Sequence, residues 1–250
     1  MISKAKIKLI QSLKFKKFRT KTGLFVAEGI KTVNDLLNSN VSVSEIFALE
    51  NVSDSINNPN GEEIQYISES EFKKISFLST STNVLGLFKI PNINILDSFS
   101  DEFLIVLDGV QDPGNMGTII RLADWYGIKN IICSIDSADT FNPKVVQSTM
   151  GSVARVNVHY TDLSIFIQKA KEQHNFYVYG SFMNGKPIYS TTFKDKKILI
   201  MGNEGKGISK EIESFADEKI NIPAFFTEKN GPESLNVAMA TGIIVSEMKR

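Results

Sequence analysis

The 250-residue chain predicts an α/β fold, with a mostly parallel sheet covered by helices on both faces and a smaller α/β unit in front of it. Three observations predict this class. From residue 103 onward, short apolar and β-branched segments alternate with helix-length ones, which is the pattern of successive βα units. Hydrophobic residues make up 42% of the chain, enough to build ordinary cores at this length. The longest apolar runs, such as Phe103 to Leu107 and Ile198 to Met201, are strand-sized and far short of the ~20 residues a membrane helix needs.

In chain order, the first unit reads strand Leu24 to Ala27, helix Gly29 to Leu37, strand Val43 to Leu49, strand Ile64 to Ile67, helix Glu69 to Ile75 and strand Leu85 to Ile90. The polar, turn-prone stretch from Pro91-Asn92-Ile93-Asn94 through Asp97, Ser98 and Ser100 is the natural linker, and it divides the chain into domains at 1–97 and 98–250. The second unit opens with strand Phe103 to Leu107, a helix near Gly117 to Tyr126, strand Asn130 to Ser134, a helix near Lys144 to Met150 and strand Ala154 to His159. It continues with a helix near Ser164 to Gln173, strands Phe176 to Ser181 and Lys197 to Met201, a short helix near Ser209 to Phe215, strand Lys219 to Ile222 and a last helix near Leu235 to Lys249. No repeat or low-complexity tract interrupts the alternation.

Composition narrows the setting. The single cysteine, Cys133, excludes an internal disulfide, and the two histidines, His159 and His174, have no ligand-like spacing near it, so a reducing cytoplasm and no metal are expected. Net charge is +0, but residues 1–27 carry Lys4, Lys6, Lys8, Lys14, Lys16, Lys17, Arg19 and Lys21 and no acid. A solvated helix face would explain a lysine run; eight cations without an acid equally suit an arm that binds a polyanion. A mitochondrial presequence favours Arg and Ser over Lys, so the segment is assigned to the mature fold.

In open parallel sheets, ligands bind beyond the carboxyl ends of the strands, where helix amino ends offer free N–H groups. Three glycine-bearing loops occupy such positions: Asp108 to Gly117, Gly202-Asn203-Glu204-Gly205-Lys206-Gly207, and Pro223 to Asn236. Neither nucleotide signature fits them, since Gly202 to Ser209 lacks the four-residue gap of a P-loop and the spacing of glycines 202, 205 and 207 is not that of a dinucleotide fingerprint. Taken singly, each loop could be turn chemistry, with Asn115 or Ser234 capping a helix. Three together on one rim point to a site.

The residues of these loops resemble the TrmH-like, or SpoU, branch of the SPOUT methyltransferases. The first motif runs from Leu107 to Arg121, the second from Ile200 to Ile208, and the third is Ile222-Pro223 followed by Glu233 to Ala238. Ser148-Thr149-Met150-Gly151-Ser152 is also similar, and Phe25-Val26-Ala27-Glu28-Gly29 resembles the start of the family's L30e-like substrate-binding domain. One departure is the length of the 224–232 segment between Ile222-Pro223 and Glu233.

The resemblance implies a deep trefoil knot in the C-terminal domain, a homodimer, and S-adenosylmethionine as cofactor, held by backbone groups around Gly202, Ile222 and Leu235 with Thr149 on the adenosine side. It implies methyl transfer to a ribose 2′-hydroxyl, with Asn115, Arg121, Glu204, Ser234 and Asn236 forming the catalytic set. Such a reaction needs no metal; it needs oxygen, methyl and sulfur in line and help for the departing proton. The family's motif-one arginine is commonly proposed as the base. A guanidinium does not deprotonate in proteins, so Arg121 suits a grip on the neighbouring phosphate, which could itself relay the proton. Ribosomal RNA is favoured over transfer RNA on the strength of the N-terminal domain. A transfer-RNA methyltransferase and a non-catalytic RNA-binding or ribosome-assembly protein are the alternatives, and the intact polar set argues against the second.

Overall fold

The computed structural model describes residues 1–78, 80, 82–225 and 234–250. Its first elements are helices α1 (Lys4–Ser12) and α2 (Lys16–Thr22), strand β1 (Leu24–Glu28), α3 (Ile30–Leu37), β2 (Val43–Ala48), β3 (Ile64–Tyr66), α4 (Glu69–Phe72) and β4 (Val84–Lys89). Then come β5 (Phe103–Asp108), α5 (Pro113–Trp125), β6 (Asn130–Cys133), α6 (Pro143–Thr149), β7 (Asn157–Tyr160) and α7 (Leu163–His174). The chain closes with β8 (Tyr177–Pro187), β9 (Lys197–Gly202), α8 (Lys210–Glu213), β10 (Glu218–Asn221) and α9 (Val237–Lys249). Two compact units form: Met1–Asn92 with Asp139–Arg155, and Ile93–Ala138 with Val156–Arg250.

The first unit is built on a four-stranded sheet of order β1-β4-β2-β3, with β4 antiparallel to both neighbours and β2 parallel to β3. Strand period places alternate side chains on opposite faces. Phe25 and Ala27 accordingly join Val33, Leu36, Ile46 and Phe88 in one cluster, while Val26 joins Ile10, Leu13, Phe47, Phe72 and Leu87 in another. Residues 139–155 belong here although the sequence reading divided the chain at 97, because Val146 and Val153 bury their apolar side chains in the first cluster and Phe141 lies 4.7 Å, centroid to centroid, from Phe25.

The basic N-terminal stretch is part of this core. Ile10 and Leu13 are fully buried, and Arg19 is 2% exposed, donating through Nη1 to the Leu13 carbonyl (2.6 Å) and through Nε (3.2 Å) and Nη2 to Asp139. Lys6 pairs with Glu45. Lys4, Lys8, Lys14, Lys16, Lys17 and Lys21 remain exposed. Removing residues 1–21 would therefore take out core side chains along with surface charge.

The second unit carries a six-stranded sheet of order β10-β8-β9-β5-β6-β7 in which every neighbouring pair is parallel. Leu104 and Val106 cluster with Phe166 and Ile167 of α7 and with Ile198 and Ile200 of β9. Ile105 and Leu107, on the alternate face, are equally buried, and α5 and α9 pack against β6 and β9. Strand β8 outruns the expected end at Ser181 because its register with β10 jumps: Lys219 pairs with Gly180, but Ile220 pairs with Lys186, leaving 181–185 as a bulge. Among the described residues no helix is long and apolar enough to cross a membrane.

Candidate active site

Because all six strands run the same way, the loops after β5, β9 and β10 emerge on one rim. After β5, Gly109 adopts φ +72, a conformation open to glycine and strained for other residues, and turns the chain so that its N–H reaches Ser134 Oγ (2.8 Å) and its carbonyl accepts from Asn203 Nδ2 (2.7 Å). Asp112 then caps α5, its Oδ1 accepting from the Asn115 N–H (2.8 Å), with Pro113 at the first helical position. The helix thus starts four residues before the expected Gly117, which puts Asn115 in its first turn.

The loop after β9 is organised by Asn203. Its backbone exchanges hydrogen bonds with Gly207 (3.0 and 2.9 Å), and its Oδ1 accepts from the N–H groups of Gly205 (2.9 Å) and Lys206 (3.0 Å). Gly202 precedes this turn in a space that admits no side chain, since a Cβ there would lie 2.2 Å from Gly207 C and 2.3 Å from Ile208 N. Asp108, paired with Gly202 across the sheet, accepts the Ser209 N–H through Oδ2 (2.7 Å) and holds the far end of the loop.

A chain of amide and carboxylate bonds joins the three loops. Asn236 Nδ2 donates to Asn115 Oδ1 (2.8 Å), and Asn115 Nδ2 donates to Glu204 Oε1 (3.0 Å). Glu204 also accepts the backbone N–H groups of Asp112 (3.2 Å) and Gln111 (3.4 Å). Partial burial pushes the Glu204 carboxyl upward, but the bonds from Asn115 and from the backbone of Glu204, Asp112 and Gln111 outweigh it and hold the group below its ordinary range. Asn236 is itself the cap of α9, its Oδ1 accepting from Ala238 N (3.0 Å) and Met239 N (3.2 Å). The capping residues are therefore Asp112 and Asn236, not Asn115 and Ser234, and the last helix begins at Val237 instead of Leu235.

Of the predicted catalytic residues, Asn115, Glu204 and Asn236 are brought into contact. Arg121 is not in that chain: it stands six residues along α5 from Asn115, about 240° round and roughly 9 Å on, exposed and without an ion pair among the described residues. Ser234 and Leu235 are exposed just ahead of the α9 cap. Ile222 follows the last residue of β10 on the same rim as Gly202. Thr149 lies in the first unit, fully buried, with its hydroxyl donating to the Val146 carbonyl (2.7 Å). Glu233 of the third motif and most of the lengthened 224–232 segment lie outside the described residues.

Sequence reasoning missed Asn203, Asp112 and Asp108. The Asp112-Pro113 pair is a cap-and-first-turn signal that could have been read, whereas the pairing of Asn203 with Gly109 has no local signature.

The chain matches the family model of the SpoU rRNA Methylase family over residues 102–246 and that of the MRM3-like substrate binding domain over residues 4–86. It is 30% identical over 245 residues, 98% of this chain and 96% of the other, to the 23S rRNA (guanosine(2553)-2'-O)-methyltransferase RlmP of Bacillus subtilis. Among solved structures, a TrmH-family protein from Porphyromonas gingivalis superposes with a TM-score of 0.85 at 34% identity, covering 99% of this chain and 98% of its own. The AdoMet-bound rRNA methyltransferase from Sinorhizobium meliloti gives 0.85 at 29% identity, covering 100% and 96%. With the family model spanning more than half of the chain and a full-length relative at this identity, the chain belongs to the SpoU rRNA methylase family.

Proposed function

We propose that this protein transfers a methyl group from S-adenosylmethionine to a ribose 2′-hydroxyl of large-subunit ribosomal RNA. The observation that carries the reading is the continuous bond chain Asn236–Asn115–Glu204, which ties all three motif loops into one polar wall. The rRNA substrates named for the Bacillus subtilis and Sinorhizobium meliloti relatives support ribosomal over transfer RNA.

The rim suits the cofactor in one respect: Asn221 Oδ1, one residue before Ile222, is buried without a hydrogen-bond partner among the described residues. Gly202, Ile222 and Leu235 would hold the cofactor through their backbone groups. When bound, S-adenosylmethionine supplies an electrophilic methyl group on a sulfonium centre.

The chain's own residues do the positioning. Glu204, its carboxyl held below its ordinary range, fixes the amide of Asn115 with its NH₂ toward the carboxylate and its carbonyl toward Asn236, so the wall presents one hydrogen-bonding pattern to the ribose. A carboxylate already accepting several hydrogen bonds is a weak base, and Glu204 therefore orients more than it abstracts. Arg121, exposed and without an ion pair among the described residues, grips the phosphate beside the target ribose, and that phosphate relays the departing proton to solvent. Ser234 adds a hydroxyl beside Asn236.

The remaining assignments follow from the same reading: a trefoil-knotted C-terminal domain, an RNA-binding N-terminal domain with its boundary at Asn92 in place of residue 97, a homodimer and a cytoplasmic location. The insertion of β9 between β5 and β8, with the segment ahead of α9 bonded back to α5, supports the knot. Trp125 at the end of α5 (84% exposed) and Met239 on α9 (61%) are apolar surfaces suited to a second copy.

Incubation with labelled S-adenosylmethionine and separated, unmethylated ribosomal and transfer RNAs tests the proposal. Label in alkali-resistant linkages of 23S rRNA is the expected result. Label in transfer RNA or on a base overturns the substrate or the atom, and no transfer to any RNA returns the non-catalytic reading.

A further inference from the structure

We propose that Phe15 is a base-stacking platform, set in a lysine-lined surface on α1 and α2, that engages an unpaired nucleotide of the RNA substrate. The inference deepens the functional reading above and rests on it for the identity of the RNA. Phe15 occupies the N-cap of α2, a position that favours small polar residues, and makes no side-chain cap there. Its ring is 55% exposed, while Phe25, Phe47, Phe72 and Phe88 of the same unit are fully buried.

The backbone at this position is tied on both sides. The Phe15 N–H donates to the Ser12 carbonyl (3.0 Å), and its carbonyl accepts from Phe18 (3.1 Å) and Arg19 (3.3 Å). On either side, buried Leu13 and buried Arg19 are tied by the bond from Arg19 Nη1 to the Leu13 carbonyl. An aromatic ring held on a fixed turn loses little freedom on binding.

Its surroundings are cationic. Lys14 Nζ lies 5.3 Å from the Phe15 ring centroid, Lys17 Nζ lies 5.1 Å from that of the half-buried Phe18, and the two rings are 6.5 Å apart at 58°. Lys4, Lys8, Lys16 and Lys21 of the same two helices are also exposed; residues 1–27 hold no acid, and the acids that reach this stretch, Glu45, Glu71 and Asp139, are engaged by Lys6, the Ile2 N–H and Arg19. The lysines supply sequence-independent attraction to phosphates, and an exposed ring among them has one use that a duplex cannot meet, because stacking needs the open face of an unpaired base. An anionic membrane would call for a broad apolar face, yet Ile10 and Leu13 are directed into the core.

Full-length protein, Phe15→Ala, Phe15→Trp and the double variant Lys14→Gln/Lys17→Gln are titrated into single-stranded oligouridine and into an RNA duplex of equal length over a range of salt. Phe15→Ala is expected to weaken oligouridine binding by about 5- to 100-fold with the salt slope kept, Phe15→Trp to retain it, and duplex affinity to stay at the parent value. The lysine variant is expected to flatten the salt slope by about 1 to 2. With rRNA and labelled S-adenosylmethionine, Phe15→Ala is expected to raise KM for RNA while leaving cofactor affinity alone. Equal oligouridine binding by Phe15→Ala and parent overturns the proposal, as does an equal loss on duplex, or Phe15-dependent binding confined to phosphatidylserine vesicles. If the parent methylates no rRNA, the catalytic reading fails, and the oligouridine titration still decides the role of Phe15.

Discussion

Replacing Gly202 by alanine tests whether the loop after β9 is closed as tightly as a cofactor cradle requires. The new Cβ would stand 2.2 Å from Gly207 C, 2.3 Å from Ile208 N and 2.6 Å from Gly207 O, all backbone atoms that cannot rotate away. Ordinary contact then needs the 203–207 turn to retreat by about 1 Å, against the paired backbone bonds between Asn203 and Gly207. Overpacking of this kind costs about 1–3 kcal/mol. In a chain of this size each kcal/mol lowers the melting temperature by about 2–4 °C, so a fall of roughly 2–12 °C is expected by calorimetry. Because the same backbone is assigned to the cofactor, affinity for S-adenosylmethionine should fall at least about tenfold, the equivalent of ~1.4 kcal/mol. A variant that melts with the parent and binds cofactor equally well would refute both the close approach and the cradle.

Asn236 holds two separable tasks. Asn236→Ala should lose the α9 cap and about 0.5–2 kcal/mol in denaturant unfolding, whereas Asn236→Asp should keep the cap and lose turnover, because it lacks the amide donor that Asn115 Oδ1 accepts; equal turnover by Asn236→Asp and parent would count against the bond chain. Glu204 is held below its ordinary value of 4.5, so the stability it contributes is complete above that value and fades as the pH falls through its lowered one. Unfolding of the parent and of Glu204→Gln should accordingly differ by a constant amount between neutral pH and pH 5 and converge in stronger acid; convergence near neutrality would contradict the hydrogen bonds around it. Arg121→Ala should reduce turnover by two or more orders of magnitude, in line with the loss of a positioned charge of about 3 kcal/mol or more, and leave cofactor affinity intact by calorimetry. Unchanged turnover would remove Arg121 from the site.

Much of this was legible in the chain because local pattern carries it. The period of apolar residues marked the strands of both sheets to within three residues at each end, apart from β8, which runs six residues past its expected end, and the βα alternation placed the loops after β5, β9 and β10 on one rim, since parallel strands end together. Resemblance then singled out Asn115, Arg121, Glu204, Ser234 and Asn236. What tertiary structure decided is which of these side chains meet. Asn236 reaches Asn115 across 121 residues and Asn115 reaches Glu204 across 89, and no local periodicity encodes such a pairing. Packing also drew 139–155 into the first unit, and it left Thr149 with a buried hydroxyl. In the basic stretch, Arg19 reads like the lysines around it, yet its charge is spent on Leu13 and on Asp139, 120 residues away, because a buried cation must find partners wherever the fold provides them. Sequence thus determined most of the elements from Leu24 onward and the polar residues of the site through local pattern and motif, while long-range contacts decided which of those residues face one another and that the Arg19 charge is spent inside the fold.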